Sequence, residues 1–110
     1  MSREYTTEEV REKFLKHVIN LTTCWNGVKE RTCLEKLEGL AFSMLVLLDG
    51  GTELPGFIVA PAPHEDDKEY LKKQNENWFP ENNKPSINCN IAGYLHELFP
   101  DLNREEKRNA

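Results

Sequence analysis

Residues 34–48 read LEKLEGLAFSMLVLL, with apolar side chains recurring at every third or fourth position. This spacing places apolar residues on one side of a helix, so we predict a helix from about Lys29 to Leu48. A buried strand is the rival interpretation, because Gly39 lies inside the segment and residues 42–48 are apolar nearly all round. We favour the helix, since the spacing runs unbroken from the charged half into the apolar half.

An amphipathic helix is also predicted before this segment, over residues 6–26. Its apolar positions recur at intervals of three and four and therefore share one face: Val10, Phe14, Val18, Leu21 and Trp25. Thr6 or Thr7 can cap its first turn, and Asn26 with Gly27 is a typical helix end that turns the chain back. We therefore expect the two helices to pack as an antiparallel pair.

The second half of the chain contains weaker patterns. Residues 57–60 form a short apolar run bounded by prolines, and we predict a strand there that pairs with a second strand near residues 86–91. Short helices are predicted over residues 64–74 and 92–99, and residues 101–110 are predicted to form a flexible tail. The predicted fold class is therefore α+β, with two antiparallel helices, a short two-stranded sheet or hairpin, and one or two short helices.

One compact domain is expected over residues 1–100, because a chain of this length can bury a single modest core. Ten side chains are predicted to form that core: Leu34, Leu37, Ala41, Met44, Leu48, Phe14, Val18, Leu21, Phe57 and Leu98.

The composition excludes several classes of function. The 110 residues include 14 basic and 19 acidic side chains, so the formal net charge is 14 − 19 = −5. Basic residues are interleaved with acids throughout, which argues against direct nucleic-acid binding. No apolar run reaches the ~18 residues of a membrane span, and the N-terminus lacks the apolar core of a signal peptide, so a soluble cytoplasmic protein is expected. The odd number of cysteines, Cys24, Cys33 and Cys89, favours reduced thiols.

Residues 61–81 have the features of a protein-binding surface. Trp78 and Phe79 lie in a segment with loop composition, and Trp is enriched among the residues that dominate binding energy. The neighbouring acids would steer a basic partner. The candidate partner-binding residues are His64, Glu65, Asp66, Asp67, Trp78 and Phe79. Two structural alternatives stay open, namely that the aromatics cover an open edge of the core and that the acids form a solvated face.

A metal-dependent hydrolase is the alternative functional hypothesis. It would use His64, Asp67 and His96, and Cys89 lies in the same half of the chain. These residues lack the paired short spacing of zinc motifs, and a structural interpretation, with His64 capping a helix and Asp67 in its first turn, is favoured over the metal site. No catalytic residue, metal ligand or cofactor is therefore assigned.

Five motifs occur in an order that resembles a group of small uncharacterised proteins encoded by phages and prophages. The resemblance covers about residues 30–99, and its motifs are EGLAFSMLVLLDG (38–50), LPGF (54–57), PHEDDK (63–68), NENW (75–78) and IAGYLHELF (91–99). The sequence departs from the group at Asn75, where a glycine is expected before Glu76. The resemblance implies no activity, but it implies a setting in the cytoplasm of a bacterial host, where small acidic proteins often act by occupying a host protein.

The leading hypothesis is therefore a small, acidic, non-enzymatic binding protein. Its expected partner is a host protein, with an inhibited host defence system as one candidate. The chain is expected to be a monomer or a homodimer.

Overall fold

Four α-helices make up the regular structure of the described chain. The computed structural model describes residues 2–82 and 87–108, and its helices are α1 (Thr7–Asn26), α2 (Cys33–Asp49), α3 (Asp67–Lys73) and α4 (Leu95–Arg108). These residues contain no β-strand, so the predicted α+β fold class is wrong and the fold is all-helical. No helix among them combines the length and apolar character needed to cross a membrane.

The chain divides into two compact units. The larger unit comprises residues 1–57 and 89–110 and contains α1, α2 and α4, whereas the smaller unit comprises residues 58–88 and contains α3. The single domain expected over residues 1–100 stays a prediction.

Helix α1 confirms the helix predicted over residues 6–26, and a capping box fixes its start. The Thr6 hydroxyl accepts a hydrogen bond from the Glu9 amide at 3.2 Å, and the Glu9 carboxylate accepts one from the Thr6 amide at 2.9 Å. Arg3 donates two further bonds of 2.7 and 2.8 Å to this carboxylate. The hydrogen bonds from Arg3 and from the Thr6 amide lower the pKa of Glu9 to about 2.

Helix α2 confirms the helix predicted from about Lys29 to Leu48, although it begins later, at Cys33, and the rival strand interpretation is wrong. Thr32 and Glu35 form a second capping box at its start, with bonds of 2.9 and 3.1 Å. Gly50 ends the helix in the left-handed conformation, with φ 87°. A Cβ atom at Gly50 would lie 2.9 Å from the Gly56 amide nitrogen, so both the backbone angle and the available space require glycine.

Helix α2 packs antiparallel to α1 through a close contact at Trp25. A Cβ atom at Gly39 would lie 2.4–2.6 Å from the Trp25 ring, so the absence of a side chain there makes room for the indole. The indole N–H donates to the Ser43 hydroxyl at 2.9 Å. Farther along the pair, Leu47 near the end of α2 joins Phe14 in the middle of α1. Gly39, which weakened the helix prediction, is therefore a packing requirement.

The core of the larger unit is small. Its buried apolar side chains are Phe14, Leu15, Val18, Ile19 and Leu47. Partly buried side chains pack around this cluster: Leu21, Leu48, Leu54, Phe57, Ile91, Leu95, Phe99 and Leu102. The rings of Phe14 and Phe57 meet edge to face, with centroids 5.1 Å apart. The core thus forms where α1, α2, α4 and the segment after α2 meet.

Half of the ten predicted core residues lie outside this core. Phe14 and Val18 are buried, and Leu21, Leu48 and Phe57 are partly buried. The other five are exposed: Leu34, Leu37, Ala41, Met44 and Leu98. Four of these five lie in α2, which is apolar on more than one side, so periodicity alone could not identify the side that faces α1.

The two predicted strands are wrong for the described residues. Residues 57–60 and the described part of 86–91 have no strand conformation, and Ser86 itself lies outside the described residues. The Phe57 amide instead donates to the Leu48 carbonyl at 2.9 Å, so it is used to bind the end of α2. The prolines on both sides of this short run have no amide N–H, so few other hydrogen-bond donors are available to pair in a sheet.

Helix α4 continues past Pro100 to Arg108, in place of the flexible tail predicted over residues 101–110. Proline removes one amide donor from the helix. Leu102, two residues later, packs against the core cluster, and this contact explains why the helix extends beyond the proline. The last two predicted tail residues, 109 and 110, lie outside the described residues.

Candidate functional site

His64 and two of the predicted site acids build the start of α3, in the smaller unit. The Asp67 carboxylate accepts a hydrogen bond from the His64 amide at 3.0 Å, and the His64 ring nitrogen Nδ1 accepts one from the Asp66 amide at 3.2 Å. Asp67 also places negative charge in the first turn of the helix, where the backbone dipole favours it. His64 and Asp67 therefore have structural roles, whereas the exposed carboxylates of Glu65 and Asp66 make no cap bond.

The turn after α3 brings the chain back towards the helix. Asn75 has the left-handed φ of 57°, its amide donates to the Lys72 carbonyl at 3.0 Å, and the Glu76 amide donates to the Leu71 carbonyl at 2.9 Å. This is the Schellman arrangement, in which glycine is the commonest left-handed residue and asparagine also occurs. Asn75 thus fills the role of the glycine that the phage-protein resemblance leads one to expect.

Trp78 lies against the basic side of α3. The ammonium groups of Lys68 and Lys72, one helical turn apart, are 5.7 and 5.2 Å from the centre of its ring. A lysine over an indole face is attracted by about 0.5–1 kcal/mol at an exposed site. The side chain stays 44% exposed, so Trp78 is held in place without being buried. The alternative that Trp78 and Phe79 cover an open edge of the core stays a prediction.

The other predicted aromatic of this segment has a different environment. Phe79 is 70% exposed, and Tyr70 on α3 is exposed as well. The Asn82 side-chain amide donates to the Pro61 carbonyl at 2.8 Å and so joins the two ends of the segment. Residues 61–82 therefore form a closed loop around α3 that presents aromatic side chains to solvent.

Sequence analysis missed the two lysines that hold Trp78. A signal for them exists in the sequence, because Lys68 and Lys72 are four residues apart and must share one face of a helix. Their pairing with Trp78 depends on the chain reversal at Asn75, which no local pattern revealed once glycine was absent there.

The residues of the alternative metal site do not form a ligand set. Within residues 2–82 and 87–108, no three His, Cys, Asp or Glu side chains converge so that they could hold a metal ion. His64 and Asp67 belong to the smaller unit, where the His64 amide donates to the Asp67 carboxylate, and His96 belongs to the larger unit. His96 is highly exposed, and its nearest acidic neighbour is Glu97 at 3.9 Å.

A cleft of about 450 Å³ lies between α1 and α4 in the larger unit. Both helices contribute acidic and apolar side chains to its walls, and α1 also contributes one basic side chain. The lining residues are Glu8, Arg11, Glu12, Leu15, Leu98, Asp101, Leu102 and Glu105. The Arg11 Nε donates a hydrogen bond to the Ile91 carbonyl at 2.9 Å. The guanidinium group of Arg11 is therefore engaged within the fold. No histidine or cysteine lines this cleft. None of the residues considered for catalysis is therefore part of it.

No family model, curated protein or solved structure matches this chain significantly. The phage-protein resemblance therefore stays a prediction.

Proposed function

We propose that this chain is a small acidic, non-enzymatic binding protein of the phage or prophage type. It acts by occupying a protein in the cytoplasm of its bacterial host, and host defence proteins are one candidate class. The observation that carries the proposal is Trp78, a large aromatic side chain fixed by two lysines and left 44% exposed.

An aromatic side chain held in this way is suited to be the anchor of an interface. Binding normally costs about 0.5–1.5 kcal/mol for each mobile side chain that becomes fixed. Trp78 is already positioned by Lys68, Lys72 and the turn at Asn75, so much of that cost is met in the free protein. Phe79, next in sequence and more exposed, can add apolar area to the same contact.

The charge of the segment defines the chemistry of the partner. Residues 61–82 contain six acidic side chains and three basic ones, a net charge of 3 − 6 = −3. All three basic residues lie on α3, and two of them are close to Trp78. Glu65 and Asp66 are exposed, so their field reaches solvent. The partner surface should therefore be basic, and the association should weaken as salt screens these charges.

Capture from a lysate of the bacterium that carries the gene tests the proposal. The wild-type chain is immobilised, and the retained proteins are compared by quantitative mass spectrometry with those retained by Trp78→Ala. Tyr94→Ala is the matched control, since Tyr94 is an exposed aromatic of the larger unit. We expect one host protein to be retained by the wild type and by the control but lost from Trp78→Ala. Equal retention by all three chains would contradict the proposal.

A charge reversal tests the predicted basic partner. The variant combines Glu65→Lys with Asp66→Lys and leaves Asp67 unchanged, because the Asp67 carboxylate accepts the His64 amide bond at the start of α3. The captured protein should bind this variant more weakly, and its affinity should depend less on salt than the wild type's does. If affinity and salt dependence are both unchanged, the acids form only a solvated face.

A further inference from the structure

The exposed side of α2 has a symmetrical apolar pattern. The positions Leu34, Leu37, Ala41, Leu45 and Leu48 lie at −7, −4, 0, +4 and +7 relative to Ala41. With 3.6 residues per turn, all five fall within about 80° of the helix circumference. The first, second and fourth of them are 60–65% exposed, Ala41 is exposed and Leu48 is partly buried. These five residues are called the α2 stripe below.

We propose that the α2 stripe is a homodimer interface, in which a second copy of this chain packs antiparallel across it. A twofold interface must be complementary to itself, and the pattern of the α2 stripe reads the same in both directions. With the axis at Ala41, Leu34 of each copy lies opposite Leu48 of the other, and Leu37 lies opposite Leu45. The small side chain at the axis lets the two helices approach closely.

The exposed area is sufficient for this assembly. The α2 stripe, together with the adjacent exposed Met44, offers roughly 500 Å² of apolar surface per copy, a patch of the size that often marks an interaction site. Two copies would bury roughly 1,000 Å², which reaches the lower limit for a specific interface. Side chains flanking the α2 stripe would add to this area.

The charges of α2 favour the antiparallel arrangement over the parallel one. Its only acidic residues before the C-terminal Asp49 are Glu35 and Glu38, both in its first half, and residues 39–48 carry no charge. A parallel pair would place Glu35 and Glu38 beside the same two residues of the second copy. In the antiparallel pair they lie opposite the uncharged Leu47 and Met44, and only Asp49 comes within about one turn of a glutamate of the other copy. Antiparallel helix dipoles are also the favourable combination.

Sedimentation equilibrium over about 1 to 100 µM protein tests the dimer directly, because this range brackets micromolar dissociation constants. The wild-type chain should show a monomer–dimer equilibrium in this range. Leu37→Glu should raise the dissociation constant at least about 100-fold, since each dimer would bury two unpaired charges. Phe42→Glu is the matched control, because Phe42 is 66% exposed on the same helix but lies outside the α2 stripe. A monomeric wild type, or equal effects of the two variants, would overturn the proposal.

A cross-linking experiment keeps the proposal testable even if Leu37→Glu folds poorly. The background chain has Cys24, Cys33 and Cys89, all exposed, changed to serine. Ala41→Cys in this background should form a disulfide-linked dimer on mild oxidation. Leu34→Cys should not, since the two copies of position 34 would be about 21 Å apart along antiparallel helices. Efficient linkage through position 34, or none through position 41, would overturn the antiparallel dimer.

This inference is independent of the proposed function. The substitutions in α2 leave residues 61–81 unchanged, so the lysate capture can succeed while the dimer fails, or the reverse.

Discussion

Replacing Gly39 by alanine is the most informative single perturbation of the larger unit. In an ordinary helix interior the change from glycine to alanine stabilises by about 0.5–1 kcal/mol. In α2 the new methyl group would lie 2.4–2.6 Å from three carbon atoms of the Trp25 ring. That is about 1–1.5 Å closer than the roughly 3.5–4.0 Å at which carbon atoms attract each other. We therefore expect Gly39→Ala to destabilise the fold.

The magnitude follows from two ways of relieving the clash. Keeping the ring in place costs about 1–3 kcal/mol, the usual range for overpacking. Moving the ring outward breaks the bond of 2.9 Å from its N–H to Ser43, which costs about 0.5–1.5 kcal/mol, and also gives up its contact with α2. After the gain from helix propensity is subtracted, the free energy of unfolding should fall by about 0.5–2 kcal/mol.

Urea unfolding followed by circular dichroism measures this change, and a double-mutant cycle assigns its cause. In the background Trp25→Leu, which lacks the indole ring, Gly39→Ala should change sign and stabilise by about 0.5–1 kcal/mol. Both experiments add the same methyl group at position 39. They differ only in whether the Trp25 ring is present. Stabilisation by Gly39→Ala in the wild-type background would refute the close contact between Gly39 and the Trp25 ring.

Two further predictions concern the core and the start of α1. Leu47→Ala should lower the free energy of unfolding by about 2–5 kcal/mol in the same urea assay, because Leu47 is fully buried. A loss below about 1 kcal/mol would show that Leu47 is not part of the core. Glu9→Gln should reduce the dependence of the free energy of unfolding on pH. The pKa of Glu9 is lowered in the folded chain, so the ionised carboxylate stabilises the fold fully above its ordinary pKa of 4.5. This stabilisation is lost as the pH falls towards about 2. Melting temperatures measured across this window should therefore fall less in the variant than in the wild type, and parallel curves would contradict the role of the Arg3 and Thr6 bonds.

The first two helices could be predicted because their signals are local. Thr6 with Glu9, and Thr32 with Glu35, place capping residues three apart in sequence, and apolar spacing then carries each helix forward. The side of α2 that faces α1 could not be predicted, because residues 42–48 are apolar nearly all round. Trp25 contributes to this choice, because its ring occupies the space that a side chain at position 39 would need.

The errors in the second half have a common physical origin. Residues 57–60 have strand propensity, but a strand needs a partner, and the Phe57 amide bonds to the end of α2 instead. Pro100 is a local signal for a helix end, but the contact of Leu102 with the core outweighs it. In each case a tertiary contact between segments distant in sequence decided the structure.

The candidate site could be located from the sequence but not understood in detail. Trp78 was identified from its type and its position in a loop, whereas its support by Lys68 and Lys72 depends on the turn at Asn75. The acids next to His64 looked equivalent in sequence. The structure separates them, since the Asp67 carboxylate accepts a hydrogen bond from the His64 amide and Asp66 is exposed.

The balance of buried and exposed apolar residues is what the proposed binding function would require. Among the described residues, five apolar side chains are buried and thirteen large ones are exposed. Scattered single apolar residues are normal on a protein surface, but here the exposed ones include a continuous series along one helix and neighbouring aromatics in one loop. Each large apolar side chain that stays in water loses the roughly 1.5–3 kcal/mol of stabilisation that full burial would contribute. A chain that keeps them exposed gains this free energy only when another surface covers them, which is the thermodynamic basis of a protein that works by association.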